Sequence, residues 1–272
     1  MRREKTLGPF LFILAILPCL NAFVHQYRHA NQHLTALRSG ILERLFPQLS
    51  STPPAVRAAS TELADLLSTG RAALDGDPRA GRLDELIDVL VKSRAPFDVA
   101  EIGLGSLWAS RYTRGGGSVP RWKAQSLALQ GLLAFENLSG QRYDLSSYVN
   151  NDKTEGAVLN YSELLGQALY LRAAGSFRPA SGDSTSPLRC PVDFDVTIKS
   201  GGFVAMGREF SLPISGPGYL RVLYADQNVR IFANPRDSPD EWEKAGLIAV
   251  QIPATRVVEG RPGWVEPSAV QL

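Results

Sequence analysis

Val192-Asp193-Phe194-Asp195-Val196-Thr197-Ile198-Lys199 alternates apolar and polar residues without a break. A period of two puts Val192, Phe194, Val196 and Ile198 on one face of a strand and leaves Asp193, Asp195, Thr197 and Lys199 on a wet face. A strand with one face in water belongs to an antiparallel sheet, since parallel strands are covered on both sides. The glycines after it, Ser200-Gly201-Gly202, predict a turn back into a partner strand from Gly202 to Met206. The same reading extends outward in both directions. Leu107 to Thr113, Gln167 to Phe177, Tyr219 to Tyr224, Val229 to Phe232 and Gly246 to Ile252 read as strands, with Leu127 to Asn137 and Ala157 to Tyr161 beside them. Asp226-Gln227-Asn228 supplies the turn between Tyr224 and Val229. Eight or nine strands without crossover helices exclude a parallel sheet and point to an up-and-down barrel or strongly curled sheet.

Two helices precede the strands. Pro53-Pro54 can open a helix carrying Leu63, Leu66 and Leu67, which Gly70 stops. Asp77-Pro78 supplies an N-cap and a first-turn proline for a second helix. Its Leu83, Leu86, Ile87, Leu90 and Val91 recur at helical spacing, and such a stripe requires a packed partner. The segment from Asn234 to Ala245 carries Pro235, Pro239 and several charges and reads as a surface insertion.

The N-terminus reads as an address. Arg2, Arg3 and Lys5 lead into the apolar run Phe10 to Leu17, and Leu20-Asn21-Ala22 ends in a small residue, the pattern of a signal peptide over residues 1–22. The run is about half the ~20 residues of a spanning helix, and an uncleaved anchor would need Leu7 to Val24 to insert together. From Phe23 to Leu42 there is no acid, but there are basic, histidine and hydroxyl residues, a transit-peptide type of composition that we extend over residues 23–54. An apolar signal followed by Ala22-Phe23 and a basic stretch looks like the bipartite presequences of plastid proteins in algae with secondary plastids. The domain is then expected over residues 55–255, with helices in 56–95 and the barrel in 104–253, followed by a C-terminal tail, 256–272.

The 272 residues are 44% hydrophobic and carry a net charge of +2, which gives no electrostatic footprint for nucleic acid. Removing both leader segments would bring that charge to −2. Two cysteines, Cys19 and Cys190, make neither a zinc cage nor a disulfide framework. His25, His29 and His33 share helical spacing but fall in the leader, with no carboxylate or thiolate to complete a metal shell. No histidine follows His33, so a processed chain has no Ser-His-Asp or Cys-His arrangement. Gly115-Gly116-Gly117 lacks the lysine and helix of a phosphate-binding loop. Asp193 and Asp195 read as surface charges and Cys190 as a half-buried structural thiol. Glu136, Asp144 and Glu163 are the mid-chain acids an enzyme without histidine would need to converge. Asn137-Leu138-Ser139 and Asn160-Tyr161-Ser162 fit the glycosylation sequon. Neither a catalytic centre nor a metal or cofactor is expected.

Ser106-Leu107-Trp108-Ala109-Ser110-Arg111-Tyr112-Thr113 resembles the first barrel strand of the plastid lipid-associated proteins, or fibrillins, in which a Trp and a Tyr-Thr pair recur. Gly218-Tyr219-Leu220-Arg221-Val222-Leu223-Tyr224-Ala225-Asp226-Gln227-Asn228-Val229-Arg230-Ile231 looks like that family's closing hairpin. The likeness runs from about Val56 to Ile252 and departs after Ile231, where Phe232-Ala233-Asn234-Pro235 replaces a short Arg-Gly turn. It implies a mainly β fold with N-terminal α-helices and a lipocalin-like antiparallel β-barrel. It also implies a plastid protein at thylakoids or plastoglobules that binds small lipophilic molecules such as quinones, carotenoids or acyl lipids. Its alternative is a structural or assembly factor on the thylakoid surface. Asp226 and Arg230 match the family's Asp and Arg; across a tight hairpin they would pin the rim or meet a headgroup. Strict alternation puts Trp108 and Tyr112 on one strand face, which would wall a cavity with Tyr170, Phe203 or Tyr219, or fill the core.

Overall fold

The computed structural model describes residues 52–74, 76–97, 104–115, 136–144, 155–180, 188–234, 247–259, 261 and 263–267. The expected signal segment, the expected transit segment except for residues 52–54, the histidine trio, Cys19, Gly116-Gly117, the insertion after Asn234 and most of the strand expected over Leu127 to Asn137 lie outside them.

Helix α1 spans Pro54–Ser68 with proline in its first turn, and its buried residues include Val56, Leu63 and Leu67. Helix α2 spans Ala80–Lys92 and buries the whole Leu83, Leu86, Ile87, Leu90 and Val91 stripe. It starts just after the Asp77-Pro78 signal, because the Asp77 carboxylate takes the Arg79 backbone N–H and side chain instead of capping the helix itself. The strands follow in order: β1 Ala73–Leu74, β2 Pro96–Phe97, β3 Leu104–Gly115, β4 Ser139–Asp144, β5 Gly156–Glu163, β6 Leu169–Pro179, β7 Leu188–Arg189, β8 Val192–Ala205, β9 Arg208–Leu212, β10 Gly216–Ala225, β11 Arg230–Asn234 and β12 Leu247–Pro253.

Eight of these strands form a ring in the order β3-β12-β11-β10-β8-β6-β5-β4, which the β3–β4 pairing closes. Every ladder in the ring is antiparallel. Closure gives each ring strand two partners and removes the free edges that invite aggregation. The inner face is fixed by contacts between strands that are not neighbours. Tyr143 of β4 meets Phe177 of β6 edge-on at 4.9 Å and Phe232 of β11 at 6.3 Å. These join Val158, Phe194 and Val222 in one buried cluster. The outer face of β10, β11, β12 and β3 is covered by α1 and α2 in a second cluster with Leu223, Ile231, Ala233, Val250 and Ile252.

Among the described residues the ring has four register shifts; one lies between Leu104 and Leu107 in the β3–β4 ladder, and the other three set which side chains face in. In β3 the pairing with β12 passes from Ser110↔Gln251 to Tyr112↔Val250, leaving Arg111 as an extra residue. The strand therefore changes faces, and Tyr112 turns outward to the helices while Trp108 faces in. Strict alternation fails at this point, so the two aromatics do not share a face. Leu223 is the extra residue in β10, which sends both it and Tyr224 towards the helices. Lys199 is the extra residue in β8.

The turn expected at Ser200-Gly201-Gly202 is not a turn. β8 runs unbroken through it, and the chain reverses at Met206-Gly207, with φ of 48° and 77°. The glycines serve close approach instead: a Cβ at Gly202 would lie 2.4 Å from the Phe210 carbonyl oxygen, and one at Gly201 2.8 Å from the Ile214 Cβ. β4 and β9 are strands that the sequence pattern did not mark.

The C-terminal residues lie along the outside of the ring. Ala254, Val257, Val258 and Trp264 pack with Leu107, Ala109, Leu138, Tyr161 and Tyr170. Glu163, fully buried there, accepts from the Leu138 N–H, the Tyr161 hydroxyl and the Arg261 guanidinium. Further along, Glu266 accepts from the Leu107 N–H at 2.7 Å.

The bulge residue Arg111 ties helix to ring. Its guanidinium donates to the carbonyls of Leu67 and Gly70 at the end of α1 and to Glu136 at 2.6 Å. A helix leaves its last carbonyls without internal donors, and a buried cation there satisfies both sides. Arg111→Ala should cost about 3–5 kcal/mol of unfolding free energy in urea, since it strands a partly buried carboxylate and two carbonyls; a loss below ~1 kcal/mol would show the tie to be incidental.

Candidate functional site

The inner face of the ring carries a buried cation. Arg230 begins β11, is fully buried, and lies directly opposite Gln251 in the β11–β12 ladder. Its guanidinium carbon stands 3.8 Å from the centre of the Trp108 indole and 5.8 Å from the Tyr143 ring. A desolvated guanidinium over an indole gains from the ring quadrupole, about 2 kcal/mol. It also needs polar company, because an isolated buried charge costs far more than that. A chain of amides and hydroxyls lies beside it. The Gln251 side-chain amide donates to Gln141 at 3.1 Å and to the Ser110 hydroxyl at 3.3 Å. The Tyr143 hydroxyl also donates to Gln141, and the Gln141 amide donates to Asn160 at 2.8 Å. Burial raises the Tyr143 phenol above its ordinary pKa, against the opposing pull of Arg230.

Among the described residues the Trp108 Nε1 donor and the Gln251 Oε1 acceptor find no hydrogen-bond partner. Trp108 and Gln251 are both 2% exposed, so water does not satisfy these atoms from bulk. A buried indole N–H left unmade costs about 1–3 kcal/mol. An oxygen acceptor placed at the Trp108 N–H would recover that energy.

Of the residues picked out in the sequence, the structure brings Trp108 and Arg230 together. Phe203 also faces inward, beyond the Lys199 bulge, where it stacks on Phe210 at 4.7 Å. The others lie outside the ring. The Tyr112 hydroxyl donates to Asp84 on α2 at 3.0 Å. Tyr170 stacks against Tyr161 at 5.0 Å next to the C-terminal segment. Tyr219 sits beside Arg221 and Asp193 on the wet face of β8 and β10.

Asp226 does not serve as a pin for Arg230. Its Oδ1 accepts the backbone N–H groups of Asn228 and Val229, closing the hairpin turn, and its Oδ2 accepts the hydroxyls of Ser60 on α1 and Tyr224. Asp226 thus faces the helices while Arg230 faces the interior. Sequence reasoning missed Gln141, Tyr143 and Gln251, whose role depends on strand register. The one legible signal was polar residues recurring at alternate positions, as in Gln141 and Tyr143.

The carboxylates do not converge inside the ring. Glu136 is held by Arg111 and the Ala72 N–H, Glu163 is buried on the outer face, and Asp144 follows inward-facing Tyr143 and so points out. Both sequon asparagines are engaged: Asn137 is 7% exposed and bonds Leu164 and Gly166, and Asn160 bonds Gln141. Among the described residues there is no group of His, Cys, Asp and Glu fit to hold a metal ion, and no helix long and apolar enough to cross a membrane. No family model matches the chain, and neither a curated protein nor a solved structure shows significant similarity to it.

On the wet face, Arg221 donates twice to Asp193, at 2.6 and 2.8 Å. Burial pushes the Asp193 carboxyl up, but the hydrogen bonds from Arg221 and Tyr219 outweigh it, so its pKa sits below the ordinary carboxylate value. Burial and the neighbouring carboxylate push the Tyr219 phenol up to about 12. A lowered carboxylate pKa stabilises the fold above the unfolded-state value and loses that contribution as pH falls through the folded value. Asp193→Asn should therefore lower the melting temperature at pH 7, and the gap to the parent chain should close as pH drops below ~4. A gap that persists unchanged in acid would assign the loss to packing.

Proposed function

We propose that the ring is a lipocalin-like barrel that binds or carries a small lipophilic molecule with an oxygen-bearing end, and that the chain is a plastid lipid-associated, fibrillin-like protein acting at thylakoids or plastoglobules. The observation that carries the binding reading is the unmade Trp108 indole N–H beside the buried Arg230 guanidinium. A lipophilic site is mostly apolar with a few placed polar groups that fix orientation. Here Phe232, Phe177 and Val222 supply the apolar wall, and Trp108, Arg230 and Gln251 the polar end. A quinone carbonyl or an acyl carboxylate fits that end. An unoxygenated carotene would leave it unsatisfied.

A second reading rests on a different observation. Tyr143, Phe177, Phe194 and Phe232 already meet one another across the ring. An interior filled by its own aromatics favours a structural or assembly factor on the membrane surface, with no cargo. Native mass spectrometry of the full chain, before and after exposure to an extract of thylakoid quinones, pigments and lipids, separates the two. Binding predicts a stoichiometric adduct whose affinity falls about five- to thirtyfold in Trp108→Phe, which keeps a smaller aromatic ring and removes the donor. A bare chain in both samples, or an adduct indifferent to that substitution, would favour the scaffold.

A further inference from the structure

Large apolar side chains left in water collect at one end of the ring. Among the described residues these are Val89, Leu165, Met206, Phe210, Leu212, Ile214 and Val265, and all but Val89 belong to that end. Three separate pieces of chain bring them there. The Met206 N–H donates to the Ala168 carbonyl, which joins the β8–β9 turn to the β5–β6 turn carrying Leu165. Gln167 of the β5–β6 turn in turn exchanges hydrogen bonds with the backbone of Val265.

The β8–β9 hairpin is the centre of this surface. All five residues of β9 are exposed, and among the described residues β9 pairs only with β8. Register places Phe210 opposite Phe203 and Leu212 opposite Gly201, and the β6–β8 ladder puts Leu171 opposite Phe203. These residues continue the inner face of the ring beyond the last β10 pairing. The interior wall therefore runs out onto an open apolar flap.

The tip residue is unusual for its position. Met206 is 83% exposed and takes a positive φ of 48°, where Gly or Asn would be free of strain. A long apolar side chain held there in water gains nothing from burial. Beside it, Arg208 makes no ion pair among the described residues, while the adjacent Glu209 is bound to Arg172. Contiguous exposed apolar surface edged by an unneutralised cation fits a layer that is apolar below and anionic at its surface.

We infer that this end, formed by Leu165, Met206, Phe210, Leu212, Ile214 and Val265 with Arg208 at its edge, docks on an anionic lipid surface. It deepens the proposed membrane location by naming the face, and it stands whether or not the ring holds cargo. With cargo, the flap would be the route between lipid and interior.

The test is hydrogen exchange of the full chain with vesicles of phosphatidylcholine alone or mixed with phosphatidylglycerol. Exchange in residues 164–168 and 203–214 should slow on the mixed vesicles. Met206→Asp with Phe210→Glu should remove that protection and weaken vesicle binding about tenfold or more. Arg208→Glu, an exposed change that spares the fold, should remove the preference for phosphatidylglycerol. Trp108→Phe should leave the protection unchanged, which separates this surface from the interior reading. Unchanged exchange at this end, or protection confined to the N-terminal 51 residues, would overturn the proposal. So would protection that appears without vesicles and grows with protein concentration alongside a doubled mass, the sign of β9 pairing with a second copy.

Discussion

A guanidinium with no exposed surface constrains everything around it. Burying the Arg230 charge is favourable only where a ring face, oriented dipoles and a closed wall replace water. The Trp108 indole supplies the ring face, the Gln251, Gln141 and Ser110 chain supplies dipoles, and closure by the β3–β4 ladder supplies the wall. Tyr143, Phe177 and Phe232 form an apolar cluster on the same inner face. The ring closes around chemistry and not only around hydrocarbon.

The bulges are the devices that make this placement compatible with two helices on the outside. At Arg111 and Leu223 an extra residue turns the chain, so that neighbouring side chains face the helices and the inward set resumes on the other side. Arg111 then reaches the end of α1, and Tyr112 reaches Asp84 on α2. One register shift in β3 thus serves helix anchoring and leaves Trp108 facing inward four residues earlier. The outer C-terminal segment, held by Glu163 and Arg261, covers the stretch of β3, β4 and β5 that the helices do not reach.

The helical stripe from Leu83 to Val91 and the alternation from Val192 to Ile198 were legible because one period governs each and one face of each is apolar. β4 was not legible, since its inward residues are Gln141 and Tyr143 and its outward Arg142 is polar too, which erases the apolar alternation. β9 carries no burial signal because it has no buried face. The Gly201-Gly202 pair reads as a turn by composition, whereas its use is to admit the Phe210 backbone and the Ile214 side chain. Trp108 and Arg230 were legible as candidates from their residue types and the hairpin motif. Their partnership was not, because it joins residues far apart in sequence through a ladder closed around the ring. Asp226 was legible as a turn residue; that its second oxygen would take Ser60 on a helix was not.

On the proposed function, the Trp108 indole N–H takes an oxygen acceptor inside the ring. The chain has four tryptophans, so its indole N–H resonances can be assigned by substitution and followed directly by nuclear magnetic resonance. On titration with a long-chain quinone or fatty acid in mixed micelles, the Trp108 signal should move downfield in a saturable way as the bond forms, while that of Trp264 on the outer face stays in place. A Trp108 resonance that holds still while the ligand binds, or that moves no more than that of Trp264, would place the ligand away from the indole and rule out this site.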